Sequence, residues 1–286
     1  MVRLAINHRT IYRYRRPVAF GPHRLMIRPR DGHDLRVVES RLVLSPPAEV
    51  SWTYDVFGNS IATARFTAAA PVLSVESRLV LDRFLDPEPS RAIEASARTF
   101  PFRYSDDDRL DLGALLVPQE PDPDGRLARW ASDFVAGRPT DTLALLGDLN
   151  AGISAWVFYQ SRDDEGTQTP LETLDRGWGS CRDLAVLFME AARHLGFGAR
   201  IVSGYNAGPR SGADAERGST HAWVEIFVPG PGWIAFDPTN RTVGDGALVP
   251  VARARSIRQV VPVAGSFTGV PDDFLGLAVD VTVFTE

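Results

Sequence analysis

Cysteine, lysine and long apolar runs are all scarce in this sequence. Cys181 is the only cysteine, which excludes an internal disulfide and a zinc site built on several cysteines. No apolar run approaches the roughly 20 residues that a membrane-spanning helix needs. Residues 1–16 also lack the uninterrupted apolar stretch of a signal peptide. Because a single thiol is typical of a reducing compartment, we expect a cytoplasmic protein without membrane contact.

Lysine is absent altogether, and all 31 basic side chains are arginine. The α-amine of Met1 is therefore the only primary amine in the chain. This matters for any reaction in which a lysine amine would serve as an acceptor.

Positive charge is concentrated near the N-terminus. Residues 1–84 contain 13 Arg and 7 acidic residues, whereas the remainder contains 18 Arg and 29 acidic residues. The arginines alternate along strand-like segments instead of clustering. Attraction between the two parts of the chain explains this asymmetry better than nucleic-acid binding does. We expect no nucleic-acid partner.

The length of 286 residues and the 44% hydrophobic composition predict two structural units with real cores. Residues 1–85 alternate between apolar and polar side chains and predict a β-rich N-terminal domain. Residues 86–124 are rich in Pro and Asp and predict a connector with little regular structure. A catalytic core is expected over 125–247, followed by an extension over 248–286 with a strand at Leu277–Phe284.

Two helices are predicted at the start of the core. The first covers Arg126–Ala136, and the second begins near Thr140. Each has apolar residues at helical spacing. In the first helix these are Leu127, Trp130 and Phe134, and in the second they are Leu143, Leu146, Leu149, Ile153 and Trp156.

No segment has the pattern of a metal or cofactor site. The acidic runs at 106–108 and 163–165 lack the spaced oxygen ligands and the turn glycine of a calcium loop. We interpret both as solvated loops, and we expect neither a metal nor a cofactor.

A third helix is predicted to begin at the cysteine. Ser180 followed by Asp183 has the spacing of a capping box, so the helix begins at Cys181, and Gly196 ends it. The helix N-terminus favours a thiolate by only about 0.3–1 kcal/mol, so a nearby base is needed unless the thiol is simply structural. His194 lies 13 residues later, about 220° round the same helix, and faces away from the cysteine.

The base is predicted on a hairpin formed by residues 220–240. Two strands flank the turn-rich segment 229–232, and we pair His221 directly with Asp237 across the ladder. This register gives one face that is wholly apolar and suited to packing against a helix. Its residues are Ala222, Val224 and Ile226, opposite Phe236, Ile234 and Gly232.

Three sequence blocks, GSCRDLAVLFMEAARHLGFGARIVSGY, THAWVEIF and GWIAFDPTN, resemble the bacterial transglutaminase-like superfamily over about 150–245. Near the N-terminus, HRTIYRYRRPVAFGPHRLMIRPRDG and DVFGNSIATARF resemble the β-rich region that accompanies bacterial members. The resemblance implies an α+β fold with a papain-like cysteine-enzyme core, in which the nucleophile helix packs against an antiparallel sheet. It also implies Cys181 as nucleophile, His221 as base and Asp237 as the residue that orients the histidine.

One position departs from the common family pattern, because Arg182 follows the cysteine where many members have Gln. The oxyanion hole requires a donor in addition to the Cys181 N–H. Trp156, Gln160 and Trp178 are the candidates for it, although the aromatic residues also suit the core or a cleft wall.

The expected reaction is attack by the Cys181 thiolate on a glutamine-type carboxamide or a peptide amide, through a thioester. An amine acceptor makes the protein an acyltransferase, and water makes it a hydrolase. A cysteine protease or amidase with the same three residues is the first alternative. A non-catalytic interaction scaffold is the second. The expected partner is a protein or peptide substrate, and the sequence does not indicate an oligomeric state.

Overall fold

The computed structural model of the protein describes residues 1–84, 92–161, 166–208, 219–244 and 246–285. The strands of its N-terminal part are β1 (Val2–Phe20), β2 (His23–Leu25), β3 (Leu35–Ser45), β4 (Ala48–Tyr54), β5 (Ser60–Phe66) and β6 (Ala70–Arg83). The strands that follow, up to the hairpin, are β7 (Thr99–Phe100), β8 (Thr140–Asp141), β9 (Phe158–Tyr159), β10 (Trp178–Gly179) and β11 (Ala199–Asn206). The last strands are β12 (Ser219–Val228), β13 (Gly232–Asp237), β14 (Thr242–Val243), β15 (Leu248–Ala254), β16 (Val263–Ala264), β17 (Phe267–Thr268) and β18 (Phe274–Thr285). The helices are α1 (Asp106–Leu112), α2 (Arg126–Ser132), α3 (Thr142–Trp156), α4 (Pro170–Arg176) and α5 (Cys181–His194).

The N-terminal region consists of two antiparallel sheets that share a core. One sheet contains β1, β3, β6, β17 and β18, and the other has the order β16-β2-β5-β4. Alternate side chains of both sheets meet in one apolar cluster, which includes Tyr14, Leu25, Ala62 and Leu73. The alternation seen in the sequence therefore identified a real β-rich unit.

The four strands after the core hairpin and β14, which are β15 to β18, pair with strands of both structural units. Strand β15 pairs with β11 in the sheet of the core. Strands β16 and β17 pair with β2 and β1, respectively, and β18 runs antiparallel to β1 over most of its length. The chain thus returns to the N-terminal sheets after it leaves the core.

The core is an antiparallel sheet with the order β14-β13-β12-β11-β15, covered on one face by helices. Side chains of α2, α3 and α5 join those of β11, β12 and β13 in the largest apolar cluster. Helix α5 lies against the sheet, and its residues Leu184, Leu187 and Phe188 are fully buried. This arrangement confirms the predicted α+β class, with a nucleophile helix against an antiparallel sheet.

Helix α5 is buried on nearly all sides, which its amphipathic sequence does not suggest. Glu190 and Arg193 form a buried ion pair at 2.7 Å. Arg193 also donates to the carbonyl groups of Leu115, Ala199 and Arg255. These bonds satisfy the buried guanidinium, and they join α5 to the connector and to the core strands.

The connector contains more regular structure than its composition predicts. Ser105 caps α1 by accepting a hydrogen bond from the Asp108 N–H at 3.0 Å. The acidic run at 106–108 forms the first turn of this helix, where negative charge is favoured by the helix dipole. The other acidic run, 163–165, lies outside the described residues.

The first two helices of the core differ in detail from the prediction. Helix α2 ends at Ser132, four residues earlier than predicted. Helix α3 begins at Thr142, because the Asp141 side chain caps it by accepting from the Ala144 N–H. Trp156, predicted on its buried face, is 63% exposed at the end of the helix.

The two units meet along β1, β6, β11 and β15. Leu4 and Leu81 of the N-terminal region share an apolar cluster with Val249 and Val251 of the core. At this interface the Tyr205 hydroxyl lies 3.0 Å from Nδ1 of the buried His8.

Within the described ranges, the helices are all too short or too polar to cross a membrane.

Candidate functional site

The backbone of the α5 N-terminus is fixed by a buried carboxylate. Asp183 accepts hydrogen bonds from the Ser180 N–H and the Ser180 hydroxyl, both at 2.8 Å, and from the Gln168 N–H at 2.8 Å. The predicted helix start and the link from Asp183 back to the Ser180 N–H are therefore confirmed. Cys181 occupies the first helical position and is only partly buried.

The histidine and the aspartate of the hairpin form a direct hydrogen bond. His221 Nε2 donates to Asp237 Oδ2 at 2.7 Å, and both side chains are more than nine-tenths buried. The His221 ring also forms a hydrogen bond with the Cys181 side chain. Because Nε2 is directed to Asp237, Nδ1 is the ring nitrogen that serves the thiol.

The predicted strand register of this hairpin is wrong by two residues. Val224 pairs with Phe236 and Val228 pairs with Gly232, so extending the ladder places Asp237 opposite Trp223. His221 is therefore diagonal to Asp237 and not directly opposite it. A shift of two residues leaves every side chain on its predicted face, and a diagonal pair is still within reach.

The three side chains alter one another's ionisation. Burial raises the pKa of the Cys181 thiol, but the hydrogen bond and charge of His221, the Ala222 N–H and the charge of Arg182 together bring that pKa below its ordinary value. Burial lowers the pKa of His221, but hydrogen bonds to Asp237 and Cys181 and their charges raise it to about 9. The arrangement therefore favours a thiolate beside an imidazolium.

The carboxylate of Asp237 is held by the turn that follows β13. Its Oδ1 accepts from the backbone N–H groups of Thr239 at 3.0 Å and Asn240 at 3.3 Å. Its Oδ2 accepts from the Asn240 side-chain amide at 2.6 Å. Burial raises the pKa of Asp237, but the bonds from His221 and Asn240 lower it below its ordinary value.

Asn240 is the residue of this site that sequence reasoning missed. A signal for it exists in the sequence, because an aspartate followed by Pro-Thr-Asn is typical of a turn in which the carboxylate bonds to nearby backbone N–H groups. That pattern predicts the turn. It does not predict that the asparagine side chain turns back toward the carboxylate.

The strand behind His221 carries a glycine at the paired position. Gly204 pairs with His221, and a Cβ atom placed there would lie 2.1 Å from the Val249 carbonyl oxygen and 2.8 Å from the Trp223 ring. Trp223 stacks against the His221 ring with the centroids 6.1 Å apart. Because Gly204 has no side chain, the Val249 backbone and the Trp223 ring can pack closely against it, and Trp223 in turn supports the imidazole.

The candidate donors for an oxyanion hole lie at the surface beside the α5 N-terminus. Strand β9 pairs with β10, so Phe158 and Tyr159 are next to Trp178 and Gly179, just before the cysteine. Gln160 is exposed, and its backbone N–H donates to the Gly179 carbonyl at 2.9 Å. Its role as an oxyanion donor, like those of Trp156 and Trp178, stays a prediction.

His194 is far from this arrangement, as predicted. It is the last residue of α5, and its Nε2 lies 3.9 Å from Asp122 Oδ2. No group of three or more metal-ligating side chains occurs among the residues that the structure describes.

Comparison with known protein families agrees with this architecture. The family model for the transglutaminase-like superfamily matches residues 128–238, which include Cys181, His221 and Asp237. The model for the bacterial transglutaminase-like N-terminal region matches residues 4–82. The chain therefore contains a core of the transglutaminase-like superfamily, preceded by a bacterial transglutaminase-like N-terminal region. The two matches fall on the helix-and-sheet core and on the N-terminal sheets, respectively.

Individual relatives of this transglutaminase-like protein are distant. The uncharacterized protein ML0607 of Mycobacterium leprae (strain TN) is 25% identical over 291 residues, which cover 99% of each chain. The uncharacterized protein YebA of Bacillus subtilis (strain 168) is 33% identical over 70 residues, covering 22% of this chain and 10% of YebA. Among solved structures, a proposed cysteine protease from Cytophaga hutchinsonii has a TM-score of 0.73 and 18% identity, covering 100% of this chain and 98% of that chain. The predicted fold, a papain-like core with a β-rich N-terminal domain, is thereby confirmed.

Proposed function

We propose that this chain is a transglutaminase-like cysteine enzyme that forms a thioester on Cys181. The substrate is a glutamine carboxamide or a peptide amide, and the acyl group passes to an amine or to water. One observation carries the proposal: the buried His221 is hydrogen-bonded to both Cys181 and Asp237. This is the cysteine version of the nucleophile, base and orienting residue found in acyl-transfer enzymes.

The first half of the reaction uses the thiolate and the imidazolium together. The Cys181 sulfur attacks the carbonyl carbon, and the carbonyl electron pair moves to its oxygen. His221 then donates the Nδ1 proton to the leaving nitrogen as the C–N bond breaks, which leaves a thioester. Asp237 keeps the ring oriented and stabilises its positive charge.

The second half reverses the role of His221. The neutral imidazole removes a proton from an amine or a water molecule as that molecule attacks the thioester carbon. The C–S bond breaks, and the thiolate is restored beside the imidazolium. An amine acceptor gives a new amide, and water gives a carboxylic acid.

Exposed aromatic side chains beside the thiol support a polypeptide substrate. Trp156, Phe158 and Tyr159 are 63%, 81% and 56% exposed, although aromatic residues of this size are normally buried. Strand β9 pairs with β10, so Phe158 and Tyr159 lie next to Trp178 and Gly179, which closely precede Cys181 in the chain. An apolar surface at the edge of a reactive group fits the side chains that flank a target residue in a polypeptide.

Hydrolysis is the second candidate, favoured by the openness of the site. Cys181 is only partly buried, so water can reach the thiol side of the site. The Cytophaga hutchinsonii protein with a similar fold is named as a proposed cysteine protease. A protease or amidase would use the same three residues, with water as the acceptor.

A glutamine-donor peptide distinguishes these outcomes. The peptide is incubated with the protein, with and without a small primary amine, and its mass is followed. Acyl transfer predicts an amine adduct, deamidation predicts conversion of the amide to the acid, and proteolysis predicts fragments. If the wild-type protein and the Cys181→Ala variant leave several donor peptides equally unchanged, the enzyme proposal is wrong and the scaffold interpretation is favoured.

Cys181→Ala is expected to abolish turnover with little loss of stability. The thiol is partly exposed and packs only at the edge of the core, so its removal creates no large cavity. Thermal unfolding should shift by no more than a few degrees, and activity should fall to background. A variant with wild-type turnover would rule out Cys181 as the nucleophile.

A further inference from the structure

Asn240 is an exposed residue whose side chain nevertheless turns toward the buried dyad. Its amide Nδ2 donates to Asp237 Oδ2 at 2.6 Å, the same oxygen that accepts from His221 Nε2 at 2.7 Å. The amide nitrogen also lies 3.4 Å from His221 Nε2. The carboxamide is therefore in contact with both groups of the His221–Asp237 hydrogen bond.

The backbone around Asn240 is fixed in this position. The next residue, Arg241, has a φ of 57°. This is a left-handed backbone conformation that residues other than glycine rarely adopt. Its guanidinium donates to the hydroxyl and the carbonyl of Ser154 at 2.5 and 3.3 Å. The Asn150 amide donates to the Thr242 carbonyl at 3.2 Å. Helix α3 thus holds the backbone that follows Asn240 and offsets the cost of the unfavourable conformation at Arg241.

We propose that Asn240 is a positioning residue for the His221–Asp237 pair. Its amide fixes the carboxylate oxygen that orients His221, and its side chain covers the hydrogen bond between them from solvent. A hydrogen bond shielded from water is electrostatically stronger than one that water can reach. Asn240 thereby helps to maintain the imidazolium that stabilises the thiolate, an assignment that rests on the function proposed above.

Among the residues that the structure describes, few other titratable groups influence the ionisation of His221 and Cys181. The titratable groups that influence His221 are Asp237 on β13 and Cys181 on α5, and Arg182 acts through its charge on the thiol. On β11, the residue paired with His221 is Gly204, which carries no side chain. A change at Asn240 should therefore be visible in the ionisation of the thiol.

Alkylation of the thiol by iodoacetamide provides a test that needs no substrate. Cys181 is the only cysteine, so each alkylated chain reports on this residue alone. The rate is measured by mass spectrometry as a function of pH for the wild-type protein and for Asn240→Ala, Asn240→Gln and Thr242→Ala. Gln retains a carboxamide, and Thr242 is the exposed first residue of β14, directly after the turn, whose substitution serves as the matched control.

Asn240→Ala is expected to slow alkylation at least threefold at pH values below the mid-point of the plot of rate against pH. The mid-point should move to higher pH. The thermal transition should shift by no more than a few degrees, because Asn240 is exposed and Asp237 keeps its bonds from His221 and from the backbone N–H groups of the turn. Asn240→Gln should restore at least half of the shift, and Thr242→Ala should match the wild type. A profile for Asn240→Ala that superposes on the wild type, or equal shifts in the Ala and Gln variants, would overturn the assignment. A wild-type thiol that alkylates like a free cysteine would instead contradict the proposed function itself.

Discussion

His221 is almost fully buried, and burial by itself disfavours a charged imidazole. Two neighbours reverse this preference. The carboxylate of Asp237 accepts from Nε2, and the Cys181 sulfur interacts with the other ring nitrogen. Since both neighbours become negative, each favours the imidazolium. At the scale of single residues, the site is therefore a set of three groups whose charges depend on one another.

This coupling predicts the pH range of the reaction. The pKa of His221 is raised to about 9, so the imidazolium needed to protonate the leaving amine is lost as the pH rises through 9. The lowered pKa of Cys181 keeps the thiolate present at a lower pH than in a free thiol. Measurement of kcat/KM on an amide substrate between pH 5 and pH 10 should show an alkaline limb near 9. A rate that still increases at pH 10 would contradict the role of His221 as the acid.

The raised pKa of His221 also makes the stability of the folded protein depend on pH. A histidine whose pKa is higher in the folded protein stabilises the fold most below its unfolded value near 6.5. That contribution is lost as the pH rises from about 6.5 through about 9. The proposed site and the stability of the core therefore weaken together at alkaline pH.

At the scale of secondary structure, the position of the thiol depends on the first turn of α5. Asp183 is completely buried and accepts three hydrogen bonds, two from Ser180 and one from the Gln168 N–H. Its carboxylate thereby joins the helix start to the loop before α4. Since Ser180 is the residue immediately before Cys181, the same bonds fix the backbone from which the thiol projects.

Asp183→Ala should therefore reduce both stability and thiol reactivity. The substitution leaves three buried donors without an acceptor, at a cost on the order of 2–4 kcal/mol. Urea unfolding measures the loss. Asp175→Ala is the matched control, because Asp175 forms an exposed ion pair with Arg126 and should cost less than about 1 kcal/mol. Equal effects of the two substitutions would show that the Asp183 bonds do not stabilise the helix start.

At the scale of the whole molecule, the N-terminal sheets pack directly on the core sheet that carries His221. His8 of β1 lies 3.0 Å from the Tyr205 hydroxyl of β11 and 3.1 Å from Oγ1 of Thr10. Tyr205 is the neighbour of Gly204, the residue paired with His221. The N-terminal region thus supports the strand behind the proposed site.

The buried His8 predicts a loss of stability in mild acid. Burial lowers the pKa of His8 to about 4, so between pH 6.5 and pH 4 the unfolded chain binds a proton that the folded chain does not. The contribution of His8 to stability should fall as the pH falls through this range, by about 2 kcal/mol at pH 5 relative to pH 7. His8→Gln should lose less stability over the same interval, because glutamine does not titrate. Urea unfolding of both proteins at the two pH values tests this, and equal losses would contradict it.

The absence of lysine predicts that the protein does not cross-link itself. The glutamines at 119, 160, 168 and 259 are the potential donors, and Gln160 is exposed beside the proposed site. The only primary amine is the N-terminus, which can form at most one bond per chain. Untagged protein incubated alone should give no covalent ladder on a reducing denaturing gel, whereas an added small amine is still incorporated if the acyltransferase proposal holds. A ladder that survives reductant would contradict this prediction.

Much of the site was determined by local sequence patterns. The Ser180 and Asp183 spacing set the start of α5, because capping is decided within one turn of a helix. The alternation in the hairpin assigned each side chain to its face, because the period of a strand is two residues. These rules act over a few residues, and so they placed Cys181 at a helix N-terminus and His221 and Asp237 on one face of a hairpin.

Tertiary structure decided the features that depend on contacts between distant segments. The register of β12 and β13 was predicted two residues away from its true position, because apolar alternation is unchanged by a shift of two. The inward direction of Asn240 depends on Arg241 and Ser154, 87 residues apart in the chain. The burial of Glu190 and Arg193 depends on the connector and the core strands that surround α5. Local patterns carry no information about such partners, since the partners meet only when the whole chain folds.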